Sequence, residues 1–144
     1  MPTPDPASLP CGPLEETNGL KYFPRMVGKI RLLAAGGLWE ELQANLGKGS
    51  DAVCAGFLQI TYEALSARVL EGGSDADILA WCGENGRPLE DTDRLVWNAY
   101  VTKLGWNDHI TPMLLKRKAG SGLGDREDIQ TMSHYIDVDE GRRV

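Results

Sequence analysis

No run of about 18 apolar residues occurs anywhere in the chain, so the sequence offers no segment that could cross a bilayer as a helix. Histidine is scarce: the two present, His109 and His134, form no His-x-x-x-His pair, and there is no Cys-x-x-Cys. A zinc site therefore lacks its ligands, and no other metal or cofactor motif takes its place, so none is expected. The three cysteines, Cys11, Cys54 and Cys82, are odd in number and far apart, and two lie inside apolar segments. That is the usage of a reduced, cytoplasmic protein with buried thiols. The opening MPTPDPASLP lacks the basic start and apolar core of a secretory leader. Basic excess is missing too: a net charge of -6 and an isoelectric point near 4.9 oppose attraction to nucleic acid or to an acidic membrane. Runs of alternating β-branched residues are also absent, which leaves an all-α chain.

With 144 residues, 42% hydrophobic and 25% charged, the chain is a globular protein able to bury one core. Residues 1–20 carry Pro2, Pro4, Pro6, Pro10 and Pro13 without an apolar period, and read as an extended arm, draped over the domain or loose in solvent. Residues 21–144 read as one compact helical domain of about six or seven short helices punctuated by glycine. In YFPRMVGKIRLLAAGG, Pro24 suits a first turn, Met26, Val27, Ile30, Leu33 and Ala34 share a stripe flanked by Arg25 and Lys29, and Gly36-Gly37 end the helix. A brief helix is expected within Leu38 to Leu46, and another burying Val53, Cys54, Phe57 and Leu58. Thr61 caps the next, and Ser74 or Asp75 caps one that turns Ile78, Leu79, Trp81 and Cys82 inward. LEDTDRLVWNAYVTKLG buries Val96, Trp97, Tyr100, Val101 and Leu104. Asp108 is the expected cap of the helix ending in KRK, where cations meet the negative end of the dipole. DREDIQTMSHYIDVDEGR is the last helix, with Ile129, Met132 and Ile136 on its apolar side.

Few of these segments carry chemistry. His134 falls opposite the apolar stripe of the last helix, and His109 stands in a first turn that disfavours a cation. Cys54 and Cys82 lie among apolar neighbours, which raise a thiol's pKa instead of activating it. GSGLGD follows a basic helix rather than a strand, and NLGKGSD lacks the spacing of a P-loop, so neither is a nucleotide fingerprint. Gly47 to Ser50 do lead into a helix N-terminus, where amides and Lys48 could hold a carboxylate or phosphate, or simply form a turn and cap. The remaining constellation is ionic. Arg25, Lys29 and Arg31 crowd the first helix, and Asp137, Asp139 and Glu140 crowd the end of the last, where acids need a positive partner. Either Arg25 and Lys29 of the first helix pin the C-terminal tail in a partly buried salt-bridge network, or the two enclose a pocket with an arginine to orient an anion and a carboxylate to move a proton.

YFPRMVGKIR, NLGKGSD, GGSDADILAWC, WNAYVTKLGW and DREDIQTMSHYIDVDEGRR, in that order, resemble the bacterial domain of unknown function 5069 from about Tyr22 to Arg143. The resemblance implies a small, stand-alone helical protein and brings no assigned activity. It also implies polar or charged family positions at Arg25, Lys29, Asn45, Lys48, Asp51, Trp97, Asn98, Asp137, Asp139, Glu140 and Arg142. This chain has Leu42-Gln43 where members carry a tyrosine-histidine pair, so a role for that histidine is not available here.

Two functions stay open. The chain binds a small anionic metabolite through Arg25, Lys29, Asn45, Lys48, Asn98 and Arg142, facing the acidic motif. Alternatively it is a cofactor-independent acid-base enzyme of lyase, isomerase or cyclase type, with Asp137, Asp139 or Glu140 moving the proton. A structural or oligomeric role through exposed Trp39 or Trp106 is a further possibility.

Overall fold

The computed structural model describes residues 3–144. Within them a 3-10 turn, Pro6–Ser8, precedes a hairpin of β1 (Glu16–Thr17) and β2 (Leu20–Lys21). Then come α1 (Phe23–Ala34), α2 (Glu40–Gln43), α3 (Ser50–Leu58), α4 (Tyr62–Leu70), α5 (Asp75–Asn85), α6 (Asp91–Lys103), α7 (Thr111–Gly120) and α8 (Met132–Asp139). The protein is mostly helical, with eight α-helices among the described residues where six or seven were expected. None of these helices is long and apolar enough to cross a membrane.

From Thr3 onward the arm is neither featureless nor loose; Met1 and Pro2 lie outside the described residues. Asp5 caps its 3-10 turn by accepting from the Ala7 amide at 2.9 Å, Pro4, Pro10 and Pro13 are buried, and the Trp39 amide donates to the Ser8 carbonyl at 2.9 Å. The hairpin was missed because its strands are too short to show alternation. Its turn was nonetheless legible: Asn18 and Gly19 both take positive φ, 48° and 79°, as an Asn-Gly hairpin turn requires. Thr17 pairs with Leu20 and Glu16 with Lys21. The hairpin is fastened to α6, whose Asn98 side chain accepts from the Lys21 amide at 2.9 Å and donates to the Gly19 carbonyl at 2.8 Å. Beside it the Trp97 indole N–H donates to the Lys21 carbonyl at 2.8 Å.

Local signals place most helix ends. Thr61 accepts from the Ala64 amide, and Ser74 with Asp77 forms a reciprocal capping box at the start of α5, as does Glu90 with Asp93 at α6. The last helix is shorter than its charged sequence suggested, because Thr131 caps it by accepting from the His134 amide, leaving Ile129 buried in the preceding loop. Asp108 does not cap α7. Its carboxylate closes the turn before that helix, accepting from the Gly105 amide at 2.9 Å and the Ile110 amide at 2.8 Å.

The core divides into two clusters. The larger joins Phe23, Met26, Val27 and Ile30 of α1 to Leu58, Leu65, Val69, Ile78, Trp97 and Val101, while the smaller gathers Leu104, Leu114, Ile129, Met132 and Tyr135. Tyr100 touches both. Four expected core positions face outward: Leu33 (44% exposed), Ala34, Val53 (42%) and Val96 (58%). Their helices bury narrower faces than the apolar residue count implied; on α6 the inward line is Trp97 and Val101, four apart.

One junction tolerates no side chain. A Cβ at Gly86, which ends α5, would lie 2.2 Å from the Leu58 carbonyl oxygen, and that backbone is itself held by the Arg87 amide donating to the same oxygen at 2.8 Å. Gly86→Ala is expected to cost about 3 kcal/mol or more in urea unfolding. Gly36→Ala, at φ 75° with open space around it, should cost nearer 1 kcal/mol.

Candidate functional site

The site is built outward from α1. Arg25 and Lys29 are four residues apart, so their side chains leave the helix on one face. Both are buried, at 3% and 5% exposure, instead of flanking the apolar stripe in solvent. Burying a cation costs several kcal/mol unless a carboxylate meets it, and each of the two has one.

Arg25 meets Glu140, the residue that ends α8. Its Nη1 donates to Oε1 at 2.9 Å and its Nη2 to Oε2 at 2.7 Å, a fork-on-fork pair, while Nη1 also reaches the Cys11 carbonyl at 3.0 Å. Burial by itself would favour loss of the Arg25 proton, but hydrogen bonding and charge from Glu140 outweigh it and hold the guanidinium above its ordinary pKa. Arg142 adds a second cation on Glu140 Oε1 at 2.6 Å, lies 3.3 Å from Asp137 Oδ1 and donates to the Pro10 carbonyl at 2.5 Å. Arm, α1 and α8 thus meet in one knot. Gly12 is needed beside it, since a Cβ there would stand 2.8 Å from Asp137 Oδ1.

Lys29 meets Asp51, at the start of α3 and without solvent exposure. Its Nζ lies 2.7 Å from Asp51 Oδ1 and donates to the Tyr22 hydroxyl at 3.2 Å, and that hydroxyl donates to the same Oδ1 at 2.6 Å. The Gly47 amide donates to Asp51 Oδ2 at 3.1 Å. Burial lowers the Lys29 pKa against the pull of Asp51, and burial with the Asp51 charge pushes the Tyr22 phenol well above its usual range. Tyr22 holds this position from a left-handed backbone, φ 74°, which is unusual for a bulky residue.

Above these pairs a cleft of about 550 Å³ opens along the boundary of the two hydrophobic clusters. Tyr22, Arg25, Lys29 and Glu140 line it, together with Trp39, Glu41, Asn45, Lys48, Tyr100, His109, Arg117, Tyr135 and Asp139. Lys48 and Arg117 make no ion pair among the described residues, unlike the two cations on α1. On α8, Asp139 is half-buried, and burial followed by the charges of Glu41 and Glu140 raises its pKa above the ordinary carboxylate value. Tyr135 pairs hydroxyl to hydroxyl with Ser121 at 2.5 Å.

The cleft therefore brings together Arg25, Lys29, Asn45, Lys48, Asp139 and Glu140 of the expected site. The other three lie elsewhere: Asp137 and Arg142 bind each other and the arm, and Asn98 clamps the hairpin. Tyr22, Glu41, His109, Arg117 and Tyr135 were not anticipated. Arg117 was hidden in KRK, which reads as a dipole-compensating end, and His109 precedes α7 instead of standing in its first turn. Among the described residues no group of three His, Cys, Asp or Glu side chains is placed to hold a metal ion.

Compared with known families, residues 7–142 match the one described as Domain of unknown function (DUF5069). The chain belongs to this family. The match includes both buried pairs and every residue of the DUF5069 cleft. No curated protein matches the chain.

Two outcomes test the electrostatics. Glu140→Gln leaves a buried guanidinium without its counter-charge and is expected to cost about 3–5 kcal/mol in urea unfolding, whereas Arg25→Met with Glu140→Leu should cost less than either change alone. Asp139 behaves oppositely. Its raised folded pKa means that ionisation near neutrality opposes folding, a penalty absent at pH below the unfolded carboxylate value and complete once pH exceeds the folded one. Asp139→Asn should therefore raise the melting midpoint at pH 7, and the gain should vanish on acidification.

Proposed function

We propose that the protein binds a small anionic metabolite in this cleft, without a metal or cofactor. The observation that carries the reading is the division of labour among its cations. Arg25 and Lys29 are already matched by Glu140 and Asp51 and shape the floor, while among the described residues Lys48 and Arg117 reach the cleft without a direct ion pair, Arg117 acting on Asp139 only through its charge. A ligand carboxylate or phosphate supplies the missing charge. Asn45 adds an amide beside Lys48, and Trp39, Tyr100 and Tyr135 offer apolar faces for the rest of the molecule. The volume suits a metabolite rather than a polymer. Free cysteines, two of them buried, fit a reducing cytoplasmic setting.

A second reading, acid-base catalysis on the bound anion, draws support from Asp139. A half-buried carboxyl whose pKa is raised by burial and by the charges of Glu41 and Glu140, on the same cleft as those cations, is better suited to proton transfer than an exposed carboxylate.

A thermal-shift panel of mono- and dicarboxylates, hydroxy acids and phosphate esters tests the binding reading. A ligand at 100 times its dissociation constant is expected to add about 2.7 kcal/mol of stability. Lys48→Ala and Arg117→Ala should each weaken that ligand about tenfold while leaving the unliganded melting midpoint nearly unchanged. If no anion shifts the midpoint, the proposal fails.

A further inference from the structure

We infer that Lys29 is a nucleophilic amine that condenses with the carbonyl carbon of a 2-oxo acid held in the cleft, forming a covalent imine. This rests on the anion-binding reading above and names the ligand class.

Four observations converge on Lys29. Its side chain is 7% exposed and is among those that line the cleft. Its ammonium has three protons to donate, and among the described residues it has only two partners, Asp51 Oδ1 at 2.7 Å and the Tyr22 hydroxyl at 3.2 Å. Burial depresses its pKa, which enlarges the fraction of neutral, nucleophilic amine over that of an exposed lysine. Finally, Tyr22 and the Gly47 amide fix the carboxylate beside it, so that one acid-base group is held against the nitrogen.

The chemistry closes with these groups alone. Asp51 takes one proton from the ammonium, and the freed nitrogen lone pair attacks the carbonyl carbon. The carbon–nitrogen bond forms as the carbonyl π pair moves to oxygen, and a proton passes from nitrogen to that oxygen to give a carbinolamine. Asp51 then returns its proton to the hydroxyl, water leaves with the carbon–oxygen bonding pair, and the nitrogen lone pair completes the carbon–nitrogen double bond. Ammonium and carbonyl have become iminium and water, with no oxidant or reductant. The iminium keeps the positive charge that the Asp51 pocket was built to neutralise, so the buried charge balance is the same before and after. The ligand's carboxylate is the anionic group for Lys48 or Arg117.

The full-length chain is incubated with pyruvate or 2-oxoglutarate and cyanoborohydride, then digested and mapped by mass spectrometry. The sequence has six lysines, so Lys21, Lys48, Lys103, Lys116 and Lys118 are internal controls. The expected result is reductive labelling of Lys29 at least about tenfold faster than any other lysine, because burial favours its neutral amine and the cleft brings the carbonyl to it. Lactate, which offers the carboxylate without the carbonyl, should slow labelling at Lys29 and not at the controls. Lys29→Met can fail to fold by stranding Asp51, so the lactate competition carries the test in the wild-type protein. Labelling of Lys29 at or below the rate of the exposed lysines, in a protein whose melting midpoint lactate or another anion does raise, overturns the imine and leaves anion binding standing. If no anion, oxo acids included, shifts the midpoint or labels Lys29, both fall.

Discussion

Arg25 and Lys29 lie one helical turn apart on α1 with almost no contact with water, and neither charge could be buried there alone. Much of the surrounding architecture is arranged to meet that demand. Asp51 comes from the start of α3 and Glu140 from the end of α8, and the arm contributes the Cys11 carbonyl. The acids that would be unfavourable at the C-terminus of α8 are acceptable because Arg25 and Arg142 stand against Glu140. The arm is held by the same logic, since Arg142 ties the Pro10 carbonyl to the knot. Breaking one member leaves its partner buried and uncompensated, so these residues depend on one another as a set.

The same polar layer explains why a cleft exists. Two hydrophobic clusters would ordinarily merge, but between the α1 cluster and the α7–α8 cluster the chain has placed charged and hydroxyl groups that need hydrogen-bonding neighbours. What results is a groove with ordered charge at its floor and, among its walls, Lys48 and Arg117, two cations that make no direct ion pair among the described residues. Preorganised dipoles and charges of this kind suit recognition of a compact anion, because little has to move when it arrives.

The helical character of the protein and most helix starts were legible in the sequence, since capping residues and glycine stops are local signals: Thr61, Ser74 and the Gly72-Gly73 pair speak for themselves. The family was legible from ordered motifs spread along the chain. Pairing between the first helix and the acidic end of the last was readable as charge complementarity, though its outcome differed in detail, because Arg142 and Asp137 satisfy each other locally. Burial of Arg25 and Lys29 was legible only as a partly buried network with the C-terminal tail; its completeness, and the pairing of Lys29 with Asp51, were not. A helical wheel sets them beside the apolar stripe, and only the three-dimensional arrival of Asp51 and Glu140 decides that they go inward. Leu33, Val53 and Val96 failed for the converse reason, since periodicity marks an apolar face but not whether another element covers it. Arg117 and Tyr135 join the cleft through the packing of α7 on α8, which no short-range pattern encodes.

The Arg25–Glu140 bond joins residues 115 positions apart. In an otherwise unfolded chain, closing a loop of that length costs about 4 kcal/mol from the logarithmic term alone. Contacts among α3, α4 and α5 span far shorter loops and can form before it. The α8 side of the cleft is therefore assembled late, after most of the larger cluster has condensed, and local opening should begin there too. A polar knot closed over so long a span makes the docking of α8 the step that completes the cleft, bringing Tyr135 and Asp139 to face a wall that already carries Lys48.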